Sequence, residues 1–236
     1  MGEAGKRFAA ALGLLAFLGS LAGCGRGETE SIVVFKKTES IPSQVTTASL
    51  DFPYLLPDSG LVAEEMISYD GPYWEDGSGE TVENVAALML YNPGERMVEF
   101  AAISVKRGNK QHYFFVYRLP PNSRCLVLER NRLPYEDGGV TVCRDLRIQW
   151  EYQELAREQL NYIGFGKKLT VVNRESRRQE HIVLWYKRYA QEGGYYLGGV
   201  AYSVHLSQLQ PKESRVLTPD NYDAANARVV SIRMEE

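Results

Sequence analysis

The sequence is poor in the residues from which metal centres and acid–base sites are most often built. Its 236 residues include three His and three Cys, and no Gly-x-Ser-x-Gly nucleophile motif occurs in it. Charges of one sign are not grouped, and the net charge is −3, which argues against nucleic-acid binding. The composition is otherwise that of a soluble globular protein. We therefore expect no enzyme activity, no metal and no cofactor.

The first residues have the layout of a secretory signal peptide. Lys6 and Arg7 precede an apolar run from Phe8 to Leu18, and mostly small residues follow. The apolar run is too short for a transmembrane helix, and no stop-transfer pattern follows it. Residues 1–23 are therefore predicted to be a signal peptide.

The residues Leu21-Ala22-Gly23-Cys24 resemble the processing motif of bacterial lipoproteins. The resemblance implies cleavage before Cys24 and attachment of acyl chains to this cysteine. Several acyl chains on one residue would anchor the protein firmly, whereas a single chain gives only marginal binding. The expected partner is then the lipid bilayer. The expected location is the cell envelope, on the extracytoplasmic side of the membrane. The alternative is a plain secretory signal with an incidental cysteine.

The mature chain divides into a spacer and a β-rich body. Residues 24–60 contain small, charged, Ser, Thr and Pro residues, which predicts a lipidated tether. From about residue 61, short alternating runs are separated by Pro, Gly and Asn turns, which is typical of an all-β sandwich. The run from Val85 to Tyr91 is apolar on both faces and is predicted to be a central strand.

An internal repeat suggests two related halves. Leu90-Tyr91-Asn92 recurs as Val171-Val172-Asn173, and Leu119-x-Pro121 recurs as Leu209-x-Pro211. We therefore predict two tandem antiparallel sandwich domains, at 61–150 and 166–236, with a linker at 151–165. The alternative is a single domain, because each half is small for an independent core. The layout resembles the immunoglobulin-like and fibronectin-type domains of bacterial surface lipoproteins, and this resemblance assigns no functional residue.

Two features of the body are candidate sites. Cys125 and Cys143 are an even pair outside the cytoplasm, which predicts a disulfide; the alternative is two buried thiols. The stretch from Tyr69 to Glu80 combines four acids with aromatic and Gly residues. Tyr73, Trp74, Glu75 and Asp76 are its candidate binding residues.

Three interpretations of this loop remain open from the sequence. Exposed aromatic side chains can bind a sugar or a protein partner. Clustered carboxylates can hold Ca²⁺, although the alternate spacing of an EF-hand is missing. The structural alternative is a connecting loop whose Tyr73 and Trp74 pack against the edge of the sandwich.

The sequence favours a membrane-anchored envelope lipoprotein that acts as a non-enzymatic interaction or structural module. The alternative function is a carbohydrate-binding or glycan-binding surface module, and its distinguishing feature would be a flat row of exposed aromatic side chains. The expected partner of the body is accordingly another envelope protein or a glycan, and not nucleic acid.

Overall fold

A computed structural model describes residues 49–151 and 159–235. The predicted signal peptide, Cys24 and the tether up to residue 48 lie outside the described residues, as do residues 152–158 of the predicted linker.

The described residues form strands and turns, without a helix. The strands are β1 (Tyr54–Leu55), β2 (Val62–Pro72), β3 (Thr81–Asn92), β4 (Met97–Arg107), β5 (Lys110–Leu119), β6 (Ser123–Leu128), β7 (Val140–Glu151), β8 (Leu160–Phe165), β9 (Lys168–Asn173), β10 (Gln179–Ala190), β11 (Tyr195–Leu209), β12 (Ser214–Leu217) and β13 (Ala227–Glu235). The predicted all-β class is therefore confirmed.

The strands form three sheets that pack in pairs. A seven-stranded sheet has the order β1-β2-β3-β6-β11-β10-β13, and two three-stranded sheets have the orders β5-β4-β7 and β12-β9-β8. One core lies between β2-β3-β6 and β5-β4-β7, and a second lies between β11-β10-β13 and β12-β9-β8. The arrangement is a β-sandwich; the more specific immunoglobulin-like classification stays a prediction.

Alternation along the strands explains which side chains form the first core. In β4, Ala101, Ile103 and Val105 are fully buried against the facing sheet. In β3, Leu88 and Leu90 face this core, while Met89 faces a smaller apolar cluster on the other side of the sheet. Strand β3 lies between β2 and β6, so its prediction as a central strand is confirmed.

The strand order is the same in the two halves of the body. The sheets β2-β3-β6 and β5-β4-β7 of the first half correspond to β8-β9-β12 and β11-β10-β13 of the second. The same left-handed backbone conformation also recurs. Arg118 and Asn122 have φ values of 49° and 51°, and Gln208 and Lys212, at the matching positions, have φ values of 57° and 59°.

A buried asparagine ends equivalent strands of the two halves. Asn92 ends β3 and Asn173 ends β9, and neither is exposed. The Nδ2 of each side chain lies within hydrogen-bond distance of three main-chain carbonyl oxygens, which share its two N–H groups, and this closes a turn and holds the end of β5 or β11. The acceptors are Arg96, Leu119 and Pro120 for Asn92, and Arg177, Leu209 and Gln210 for Asn173.

The two halves share one sheet, whereas two tandem domains would each have separate sheets. Strand β6 of the first half pairs in parallel with β11 of the second, through Cys125 with Tyr196 and Leu126 with Leu197. This short ladder joins two three-stranded groups into the seven-stranded sheet. The related halves are therefore continuous in structure, as the single-domain alternative expects. The linker predicted at 151–165 is too long at its end, because Leu160–Phe165 form β8 and pair with β9 of the second half.

The predicted tether is shorter than the sequence indicates. Leu50 forms a β-bridge with Val140, and β1 pairs with β2. Leu56 is fully buried in the first core. Residues 49–60 therefore belong to the folded body. Burial of their apolar side chains removes apolar surface from water and favours packing over an extended, solvated spacer.

Candidate functional site

Tyr73, the first of the candidate binding residues, is a structural anchor. Its side chain is 2% exposed, and its hydroxyl donates to the carbonyl oxygens of Glu129 at 3.0 Å and Arg130 at 2.8 Å. The guanidinium of Arg132 lies 4.4 Å from the ring centroid. Burial raises the pKa of Tyr73 to about 12. This phenol therefore fastens the loop to the segment after β6, as the structural interpretation of the loop expects.

Trp74 and Asp76 also have partners within the protein. The guanidinium of Arg188 lies 3.8 Å from the centroid of the half-buried Trp74 ring. The exposed carboxylate of Asp76 forms an ion pair with Arg132 at 2.7 Å and accepts a hydrogen bond from the Ser78 N–H. Of the clustered carboxylates considered for calcium, Asp76 and Glu80 both form ion pairs with Arg132.

Glu75 connects the loop to the join between the two halves. Its carboxylate accepts hydrogen bonds at 2.8 Å from the N–H groups of Leu128 in β6 and Gly199 in β11. These N–H groups follow the last pair of the parallel β6–β11 ladder. Glu75 therefore caps the two strands at the place where their own pairing ends.

Lys187 of β10 is buried beside the same segment of β11 that Glu75 contacts. Its side chain is fully inaccessible, and Nζ lies within hydrogen-bond distance of four carbonyl oxygens, those of Tyr117 (3.0 Å), Gly198 (3.2 Å), Gly199 (2.9 Å) and Val200 (2.7 Å). Burial lowers its pKa. Lys187 thus holds the main chain of β11 against the edge of β5.

The structure corrects the predicted disulfide between Cys125 and Cys143. Both cysteines are free and buried. They lie on successive strands of the chain, but β6 and β7 belong to different sheets. The Cys125 thiol donates to the carbonyl oxygen of Gly198 at 3.1 Å. Burial raises the pKa of each thiol to about 12, so both behave as small, protonated core residues.

The stability of the protein should depend on pH through Glu75. Burial raises the pKa of this carboxyl from 4.5 to about 7, against the opposing effects of the Gly199 and Leu128 N–H groups and the charges of Lys187 and Arg130. The folded protein then binds the proton more tightly than the unfolded chain, so the contribution of Glu75 to the free energy of unfolding falls as the pH rises from about 4.5 to 7. The expected size is on the order of 3 kcal/mol.

Urea unfolding of the Glu75→Gln variant between pH 4.5 and 8 measures this contribution. The free energy of unfolding of the variant should change less over this range than that of the wild type. Glu80→Gln, which alters an exposed carboxylate of the same loop, is the matched control and should keep the wild-type pH dependence. Identical pH profiles for wild type and Glu75→Gln would refute the assignment.

An aromatic surface that the sequence did not indicate lies on the outer face of the sheet β5-β4-β7. We call it the aromatic face. It consists of three rows that run across the strands, and their residues in the order β5, β4, β7 are Tyr117–Phe100–Gln149, Phe115–Ala102–Arg147 and Tyr113–Ser104–Arg144. Aromatic residues thus line β5, and polar and cationic residues line β7.

A shallow groove of about 320 Å³ crosses one end of the aromatic face. Its lining residues are Glu99, Phe100, Tyr117, Arg118, Arg147 and Gln149. The rings of Phe100 and Tyr117 lie 4.9 Å apart and form its apolar side. Tyr117 is 40% exposed, and Arg147 and Gln149 are exposed on the opposite side. The groove therefore offers an accessible ring together with hydrogen-bond donors, as small-molecule sites commonly do.

The sequence reasoning missed this surface for a physical reason. Tyr113, Phe115 and Tyr117 alternate with Phe114 and Val116, so β5 is apolar on both faces and alternation does not show which face is outward. The polar residues Arg144, Arg147 and Gln149 on β7 would indicate which face of the sheet is exposed. A bulge at Asp145–Leu146 breaks their spacing of two residues and hides their common face.

The histidines lie apart from this surface. His112 is fully buried and burial lowers its pKa, while His181 and His205 are exposed on the second half. In residues 49–151 and 159–235, no three His, Cys, Asp or Glu side chains are placed to hold a metal ion. Within the same ranges, no helix has the length and apolarity needed to cross a membrane.

Comparison of the chain with protein-family models, with curated proteins and with solved structures finds no match.

Proposed function

We propose that this protein is a lipid-anchored lipoprotein of the cell envelope whose β-sandwich body acts as a non-enzymatic interaction module. The anchor rests on the motif that ends at Cys24, behind the apolar run from Phe8 to Leu18. The partners are the bilayer, through the acylated Cys24, and a component of the envelope, through the body. The observation that carries the role of the body is the aromatic face, an open surface of exposed and half-buried rings beside exposed arginines.

The anchor is tested by replacing the cysteine that would carry it. In a bacterial host fed labelled palmitate, the wild-type protein should incorporate the label and fractionate with membranes. Cys24→Ala removes the acylated thiol, so this variant should be unlabelled and should be found as released protein or uncleaved precursor. Cys143→Ala removes a buried thiol of the body and is the matched control, which should be labelled like the wild type. Palmitate labelling of Cys24→Ala at the wild-type level would refute the anchor.

A second candidate function is glycan binding, and one specific observation favours it. Phe115 and Tyr117 project from the same side of β5 and are about 7 Å apart along the strand, and Phe100 lies beside both rings. The three rings form a cluster whose planes are inclined by 45° and 69°, so they do not make a flat row, and the exposed ring of Tyr117 is the feature that favours glycan binding. The loop from Tyr73 to Asp76 does not contribute to it, because Tyr73 and Trp74 are packed within the protein.

A further inference from the structure

We infer that the groove between Tyr117 and Arg147 binds carboxylate-bearing sugar units of an acidic polysaccharide. This inference rests on the glycan-binding candidate and specifies its ligand. The proposed binding is non-covalent and involves no metal. The ligand would contact only side chains on the surface of the sheet.

The charges on the aromatic face are complementary to an anionic ligand. Arg130, Arg144 and Arg147 are exposed, and in the described part of the chain none of the three forms an ion pair. The acidic group of the groove, Glu99, lies 3.8 Å from the guanidinium of Arg118. The aromatic face is therefore locally cationic, although the net charge of the protein is −3. This local positive charge attracts anions.

The side chains of the groove match the two parts of an acidic sugar. The guanidinium of Arg147 can bind a carboxylate through two parallel hydrogen bonds, which a lysine could not do. The amide of Gln149 can donate to and accept from hydroxyl groups. The exposed ring of Tyr117 offers an apolar face to the C–H groups of a sugar ring.

The rings are already arranged for contact. Phe100 supports Tyr117 at 4.9 Å and contacts Phe115 edge to face at 5.9 Å. The guanidinium of Arg147 lies 5.8 Å from the centroid of Phe100, so its charge is held beside the apolar side of the groove. A ligand therefore meets aromatic side chains whose conformations are restricted in advance, which lowers the entropy cost of binding.

The fold by itself does not require this set of residues. In the second half, the pair equivalent to Phe100 and Tyr117 is His181 and Ser207, on neighbouring strands with the same register. The second half forms the corresponding sheet without an aromatic pair at this position. The two rings of the first half are thus not a general requirement of this sheet, and binding is the role that their exposure and charged surroundings favour.

The test measures binding of the full-length protein, purified in detergent, to three acidic polysaccharides: polygalacturonate, alginate and hyaluronate. Carboxyl-reduced polygalacturonate and dextran sulfate are the comparison polymers. The wild type should bind at least one of the acidic polymers and should bind the carboxyl-reduced polymer at least tenfold more weakly. Arg147→Gln and Tyr117→Ala should each lower the affinity about tenfold, corresponding to the loss of one charge-assisted contact or one ring contact.

Matched variants separate the site from general effects. Arg177→Gln removes an exposed charge from the second half, and Phe165→Ala removes a ring that is 83% exposed on β8; both should bind like the wild type. Tyr117→Phe keeps the ring and should also retain binding. Unchanged thermal unfolding of Tyr117→Ala and Arg147→Gln, whose side chains are exposed, shows that the fold is intact.

Each other outcome overturns a defined part of the proposal. Equal binding of the neutral polymer, lost in Tyr117→Ala but kept in Arg147→Gln, would refute the acidic ligand and leave the glycan-binding function standing. A loss of affinity in Arg177→Gln equal to that in Arg147→Gln would indicate nonspecific charge attraction and refute the site. Wild-type affinity in Tyr117→Ala would refute it as well. Absence of binding to every polysaccharide would refute both the ligand and the glycan-binding function, while the anchor is judged separately by Cys24→Ala.

Discussion

Of the glycine-to-alanine substitutions in the described part of the chain, Gly199→Ala should destabilise the protein most. A Cβ at this position would overlap the main-chain carbonyl oxygen of Phe115 in β5. The overlap is with backbone, so no side-chain rotation can relieve it, and β11 must move away from β5. That movement also disturbs the hydrogen bonds that Gly199 N–H and its carbonyl make with Glu75 and Lys187. We expect a loss of about 3–5 kcal/mol in the free energy of unfolding.

Urea unfolding of the full-length protein, followed by tryptophan fluorescence, measures this loss. Gly94→Ala is the matched control, because its Cβ would lie 3.3 Å from the side-chain oxygen of Asn92 and 4.0 Å from the nearest main-chain atom. The control should shift the urea midpoint far less. A wild-type midpoint for Gly199→Ala would mean that β11 and β5 do not approach each other as closely as described.

Lys187→Met should have the second largest effect. Methionine has a similar length but no donor, so the carbonyl oxygens of Tyr117, Gly198, Gly199 and Val200 would lose their common partner in a region that water does not reach. Leaving buried acceptors without donors is costly, whereas the removal of a buried charge recovers part of its desolvation penalty. The net expectation is a loss of about 2–4 kcal/mol in the free energy of unfolding.

Thermal and urea unfolding of Lys187→Met, compared with Lys106→Met, distinguish this role from a general effect of losing a lysine. Lys106 is exposed on β4, so its replacement should leave the unfolding midpoint within the range of ordinary surface substitutions. Equal midpoints for the two variants would contradict the proposed role of Lys187 in holding β11 against β5.

The predictions that depended on neighbouring residues correspond to the structure most closely. Alternation of apolar and polar residues located β3, β4 and β5, and the turn residues after Asn92 and Arg107 separated them, because strand formation and turn formation are governed by short-range geometry. The recurrence of Asn92 as Asn173 indicated a repeat, and both asparagines make the same set of hydrogen bonds. These features depend on residues that are close along the chain or that occupy one repeated position.

The candidate loop shows where such reasoning stops. The composition of residues 69–80 suggested an exposed binding site, yet Tyr73 bonds to the carbonyl of Glu129, 56 residues away, and Glu75 bonds to Gly199, 124 residues away. An aromatic or acidic residue in a loop has the same local pattern whether it binds a ligand or a distant strand of its own chain. Cys125 and Cys143 are free although both lie in the first core, because their strands β6 and β7 follow each other in sequence without being paired.

The sequence by itself determined the β class, the approximate positions of most strands and the repeat. Only the tertiary structure decided that β6 and β11 join the halves and that Lys187 and Glu75 form hydrogen bonds at this join. It also decided that the rings of Phe115 and Tyr117 on β5 face outward beside Arg147. Strand formation follows from local alternation and turn chemistry, whereas the neighbours of a strand and its exposed face are set by contacts between residues far apart in the chain.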